Sequence, residues 1–217
     1  MNKEIFFGKR FIVTGLLVVF SILFLGYFTQ SDKVNPIFQT FLVSVAFFLV
    51  VPVFYCRMVL KEPLANLGWH KGNMFSGIFV SMLAVAVGLG IIFALSRYAS
   101  FTSHFLLPSA VEKSFLAFVL YEAALVPFVA FLYEVFFRGL LQRLWLGSFG
   151  LLSVLIQSGL FTTLLYLADD LSWQRVPALI FAPLSGLIVY YSGSLWYAWA
   201  ASWFFFFLTD IFLLVSR

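Results

Sequence analysis

The 217 residues are 63% hydrophobic and 10% charged, with a mean hydropathy of +1.05. A soluble domain is about half apolar and about a quarter charged, and a chain of this size buries only about 70% of the surface it exposes unfolded. The excess excludes a soluble enzyme, a disordered linker, a disulfide scaffold and a coiled coil, and leaves the lipid bilayer as the solvent over most of the surface.

The expected fold is all-α, a polytopic bundle of about seven (six to eight) membrane helices at about 20 apolar residues each. Residues 1–217 read as a single transmembrane domain with no separate soluble part. The first apolar stretch runs from about Phe11 to Phe28 behind Lys3, Lys9 and Arg10. No small-residue cleavage site follows it, so it reads as a retained signal anchor. The second span is about Ile37 to Val59, with a kink expected at Pro52. A polar stretch through Lys61-Glu62-Pro63 and Gly68-Trp69-His70-Lys71-Gly72 leads to a third span at about Met74 to Leu95. After a loop with His104 and Pro108, the fourth span covers about Phe115 to Leu132. It is interrupted at Pro127 and continues through Glu134 and Arg138 to about Trp145.

The fifth span is about Leu151 to Leu167, ended by Asp169-Asp170. The sixth, about Val176 to Tyr191, is short and broken at Pro183. Ser192-Gly193-Ser194 is a tight turn before the seventh, about Leu195 to Val215. Strand spans are excluded, because the apolar runs are continuous rather than alternating.

The net charge is +4, from 13 Lys and Arg against 9 Asp and Glu. No basic run is long enough for a nucleic-acid patch. With the N-terminus inside, the inner loops hold Lys3, Lys9, Arg10, Arg57, Lys61, Lys71, Arg138 and Arg143. The outer loops hold Lys33, Arg97, Lys113, Arg175 and Arg217, eight against five. The bias places the N-terminus in the cytoplasm, in a protein integral to the cell membrane. The 30 Phe suit lipid contact, and the 6 Trp and 9 Tyr suit interfacial belts. Cys56 reads as a small buried hydrophobe.

Ionisable residues inside apolar spans are functional candidates by default, and Glu122, Glu134, Arg138 and Asp210 are four such groups. Glu134 and Arg138 are four apart, so they share a helix face and can pair. His70 and His104 both fall in loops, and zinc needs several converging ligands, so neither a metal nor another cofactor is expected.

The run Tyr133-Glu134-Val135-Phe136-Phe137-Arg138-Gly139-Leu140 resembles the EExxxRG motif of the CPBP intramembrane proteases. That family includes the type II CAAX prenyl endopeptidases and the Abi bacteriocin-immunity proteins. Leu67-Gly68-Trp69 is similar to the family's entry to its third span, and Phe181 through Gly193-Ser194-Leu195-Trp196-Tyr197-Ala198 to the stretch before its last motif. The resemblance covers about residues 60–210 and leaves 1–59 as additional N-terminal helices.

In that family the first Glu of EExxxR and the His of FxxxH activate a water, and HxxxN stabilises the oxyanion. The resemblance maps the catalytic positions onto Glu134, Arg138 and Ser202. Tyr133, Leu165 and Phe206 stand where the first Glu, the FxxxH His and the Asn are expected, and only Glu134, Arg138 and Phe161 match. Leu165 offers no proton acceptor, Tyr133 is a poor base near neutral pH, and Phe206 has no donor for an oxyanion. The expectation is therefore a non-catalytic member that binds a membrane peptide, a lipid or a membrane-protein partner, with the lipid bilayer around it and no nucleic acid. One alternative is an active endopeptidase with a relocated site, from Glu134 and Asp210 with Asp169 and Ser202. Another is a subunit of a membrane transport or assembly complex.

Overall fold

The computed structural model describes residues 9–30, 35–98, 101 and 107–215. Lys3, Lys33, His104 and Arg217 lie outside these residues, and of Lys9 and Arg10 only the backbone is described. Among the described residues, seven apolar helices carry the chain. They are α1 (Lys9–Gly26), α2 (Phe38–Val59), α3 (Met74–Leu95), α4 (Phe115–Phe149), α5 (Leu152–Leu167), α6 (Val176–Ser192) and α7 (Leu195–Val215). No strand occurs among the described residues. Among the described residues, five stretches are long and apolar enough to cross a membrane: α2, α3, α4, α6 with the turn before it (Trp173–Ser192), and α7. The apolar parts of α1 and α5 are shorter.

Two expected interruptions take another form. Pro52 and Pro127 lie inside continuous helices, each after a five-residue π turn (Ala46–Val50 and Tyr121–Leu125) and one further residue. Val51 N–H bonds the carbonyl of Ala46, and Val126 N–H that of Tyr121, each five residues back. A proline ring clashes with the carbonyl four residues before it and brings no N–H. Widening the preceding turn moves that carbonyl away, so the helix passes the proline without breaking. Pro183 likewise sits inside an unbroken α6.

The helices group into two compact units. The first comprises 1–70 and 132–171: α1, α2, the C-terminal part of α4 and α5. α1 packs on α5. A Cβ on Gly26 would stand 2.5 Å from the Leu167 Cβ, so that position needs a glycine. The Thr14 and Tyr55 hydroxyls meet at 2.6 Å and tie α1 to α2. Arg143 Nε donates to the Asn66 carbonyl at 3.0 Å and fixes the polar loop after α2. Cys56 is buried.

The second unit comprises 71–131 and 172–217: α3, the N-terminal part of α4, α6 and α7. α3, α6 and α7 pack on one another. Gly88 of α3 admits the Phe205 ring, which stacks on Phe181 with centroids 4.4 Å apart. Without a hydrophobic force between helices in lipid, such small-residue contacts and buried hydrogen bonds hold a bundle together. Asn73 caps α3 through its side chain on Ser76 N–H, and its own N–H reaches the Ser192 carbonyl at 2.7 Å. Gly193, at φ +71°, ends α6 in the left-handed conformation a tight turn needs.

Candidate functional site

Glu134 opens a nine-residue π segment of α4, Glu134–Gln142, and every residue in it is buried. Segments of this kind occur often at functional sites. Arg138 Nε lies 3.7 Å from Glu134 Oε2, with both side chains 5% exposed or less. Breaking a buried pair strands one charge, so each residue holds the other in place. Gln142 follows one turn on, and α5, which packs on this segment, adds Gln157 and Ser153. All three are fully buried, and Gln157 Nε2 donates to the Ser158 hydroxyl at 2.8 Å.

The two replaced positions in the same unit carry a half-buried tyrosine and a buried leucine. The Tyr133 ring lies 5.0 Å from Phe48 and 5.4 Å, edge-on, from Phe161. Phe137 also meets Phe161 edge-on, at 5.2 Å. Phe48, Phe137 and Phe161 are all buried. Edge-to-face pairs of this kind are favoured by the ring quadrupoles. Leu165 is buried one turn after Phe161 on α5.

Asp169 does not continue the Leu165 face. α5 ends at Leu167, and Asp169 is exposed at φ +51°. Its N–H bonds the Tyr166 carbonyl, while Asp170 N–H bonds that of Leu165. This is a Schellman ending, in which the two aspartates close the helix with their backbones.

Ser202 and Phe206 belong to the second unit. Ser202 is buried on α7, and the Phe206 ring lies 5.5 Å from that of Phe205. Asp210 is buried near the end of α7, and Glu122 of α4 is buried as well. Two indoles tie the same helices. Trp203 Nε1 donates to the Glu122 carbonyl at 2.7 Å, and Trp199 Nε1 to the Pro127 carbonyl at 2.8 Å. The first bond has a clear cause. In the π register Pro127 would bond the Glu122 carbonyl, but proline has no N–H, and the indole supplies the missing donor. Sequence reasoning missed this seam, although a tryptophan four residues before another on an apolar helix is its one visible trace. Among the described residues, no three His, Cys, Asp or Glu side chains converge as metal ligands.

Continuous apolar helices with charge buried at two places define a polytopic integral membrane protein. Residues 113–208 match the family model described as Type II CAAX prenyl endopeptidase Rce1-like. That stretch is 96 of the 217 residues and holds Tyr133, Glu134, Arg138, Phe161, Leu165, Ser202 and Phe206, while Leu67-Gly68-Trp69 lies before it. No curated protein and no solved structure matches it.

Proposed function

We propose that the protein is a non-proteolytic CPBP member that keeps the family's Glu–Arg pair as a structural brace and serves as a membrane-embedded binding protein. The observation that carries this reading is the packing at Tyr133. Its ring is wedged against Phe48 and Phe161, at the position where the resembling motif places the first glutamate. Leu165 lies buried at the expected histidine position. A water poised for attack needs a base within hydrogen-bond reach, and neither residue is one. Glu134, the remaining carboxylate of the motif, is held by Arg138. The ligand class that fits is a membrane peptide or lipid, in a cell membrane with the N-terminus on the cytoplasmic side.

The test uses the purified full-length protein and a farnesylated peptide ending in a CAAX sequence. Mass spectrometry is expected to find the peptide intact after prolonged incubation, with and without Glu134→Gln. Cleavage that Glu134→Gln abolishes would overturn the proposal in favour of an active enzyme.

A further inference from the structure

One carboxyl group of the second unit has no part in the family motifs and no answer within the fold. Glu122 lies in the π turn of α4 and is 3% exposed. Neither of its side-chain oxygens has a hydrogen-bond partner among the described residues. An ionised carboxylate buried without a donor carries a heavy desolvation cost. The spans of the unit supply no counter-charge. α3, α6, α7 and the stretch of α4 that belongs here contain no Lys or Arg, and Asp210, their one other Asp or Glu, is also an acid.

The local structure leaves the carboxyl free to meet a partner. Trp203 Nε1 holds Glu122 by its backbone carbonyl and not by its side chain. The next three residues, Ala123, Ala124 and Leu125, are exposed. A long helical side chain leans over the turn before its own Cα, where Val119 is 39% exposed. Glu122 thus lies beside a lipid-facing strip of α4, and the two alanines on that strip let another helix approach closely.

Depth narrows the partner. Glu122 lies seven residues after Phe115, about 10 Å along the axis at 1.5 Å per residue. Phe115 and Leu116 are exposed hydrophobics, so α4 meets hydrocarbon from its first turn. A lipid amine sits at the headgroup level, too high to reach this carboxyl. A basic side chain on a membrane-spanning peptide can stand at that depth, and it is itself costly in lipid unless it finds an acid.

We infer that Glu122 anchors a transmembrane peptide that carries a basic residue about 10 Å inside the membrane and docks along the Ala123-Ala124 strip. Each charge then neutralises the other at a depth where neither is stable alone. The inference rests on the reading of the chain as a membrane-peptide binding protein and gives the chemistry of that peptide.

The experiment places the full-length protein, carrying a donor fluorophore, in phosphatidylcholine vesicles with acceptor-labelled leucine–alanine transmembrane peptides. One peptide has a single lysine at the depth of Glu122, a second has norleucine there, and a third has its lysine near one end. By energy transfer the first should associate on the order of tenfold more tightly than the other two, since close buried charge pairs couple at least that strongly. Glu122→Gln should abolish the difference. Glu122→Asp, which keeps the charge, should retain it, and so should Glu112→Gln at an exposed site of the same unit. Equal association of the lysine and norleucine peptides would overturn the inference and leave Glu122 as a carboxyl neutralised by its own proton. Loss of the lysine preference on adding phosphatidylethanolamine would overturn it in favour of a lipid amine, and loss in Glu112→Gln in favour of surface attraction. If Glu122→Gln fails to fold, the three peptides compared on the wild type and on Glu122→Asp still decide. Mass spectrometry of the same vesicles keeps the two proposals apart: a cut peptide would end the non-proteolytic reading, whereas the lysine preference stands or falls on the energy transfer.

Discussion

Glu134 and Arg138 show how one spacing in the sequence becomes one physical object. Four residues apart on a buried stretch of α4, they lie 3.7 Å apart, and neither can be removed without stranding the other. Arg138→Met leaves a carboxylate uncompensated and should destabilise the protein by about 3–5 kcal/mol, read as a lower melting temperature in detergent and poor recovery from membranes. Glu134→Gln/Arg138→Met removes both charges and should recover much of that loss. A double variant no more stable than the single one would show that the arginine is held by other contacts. This pair was legible because a helix makes i and i+4 neighbours wherever it occurs. The bond from Trp203 to the Glu122 carbonyl was not legible, since the two lie on different helices and no local periodicity links them.

Helix positions follow from apolar runs and need little else. The third and seventh spans begin and end at Met74, Leu95, Leu195 and Val215, as hydropathy alone indicates. Within a helix the sequence is less informative, because α and π turns use the same apolar residues. The prolines were legible as disturbances, and what was hidden was the remedy, a widened turn before Pro52 and Pro127. The second of these turns carries a prediction. Trp203→Phe keeps the aromatic bulk but leaves the Glu122 carbonyl without its indole donor, at a cost of about 1–3 kcal/mol. Pro127→Ala returns a backbone N–H that can bond the same carbonyl. The Trp203→Phe loss, measured as a shift in melting temperature, should therefore be smaller in the Pro127→Ala background than in the wild type. Equal losses in both would mean that Trp203 stabilises the seam by packing alone.

At the scale of the whole molecule, the bilayer makes one demand on each helix: enough length to cross, or burial that excuses it. α5 has 16 residues, Leu152–Leu167, close to 24 Å at 1.5 Å per residue, against a hydrocarbon thickness of about 30 Å. Whether it crosses decides the side on which the turn after it lies. Seven crossings with the N-terminus in the cytoplasm would put the turn at Leu171 outside and the loop at Lys71 inside, whereas six crossings would put both inside and gather Arg175 with the other basic loop residues. Replacing the buried Cys56 with alanine leaves a background with no thiol, into which Lys71→Cys or Leu171→Cys can be placed singly. An impermeant maleimide applied to intact cells should label Leu171→Cys at once and Lys71→Cys only after the membrane is opened. If both positions resist labelling until permeabilisation, α5 dips into the membrane and returns. The Schellman turn at Asp169-Asp170 would then sit on the cytoplasmic face, and the eight-against-five charge count would rest on a wrong crossing number. If both label at once, the N-terminal assignment is reversed and α5 does not cross. Each result assigns α5 a course that its length alone leaves open.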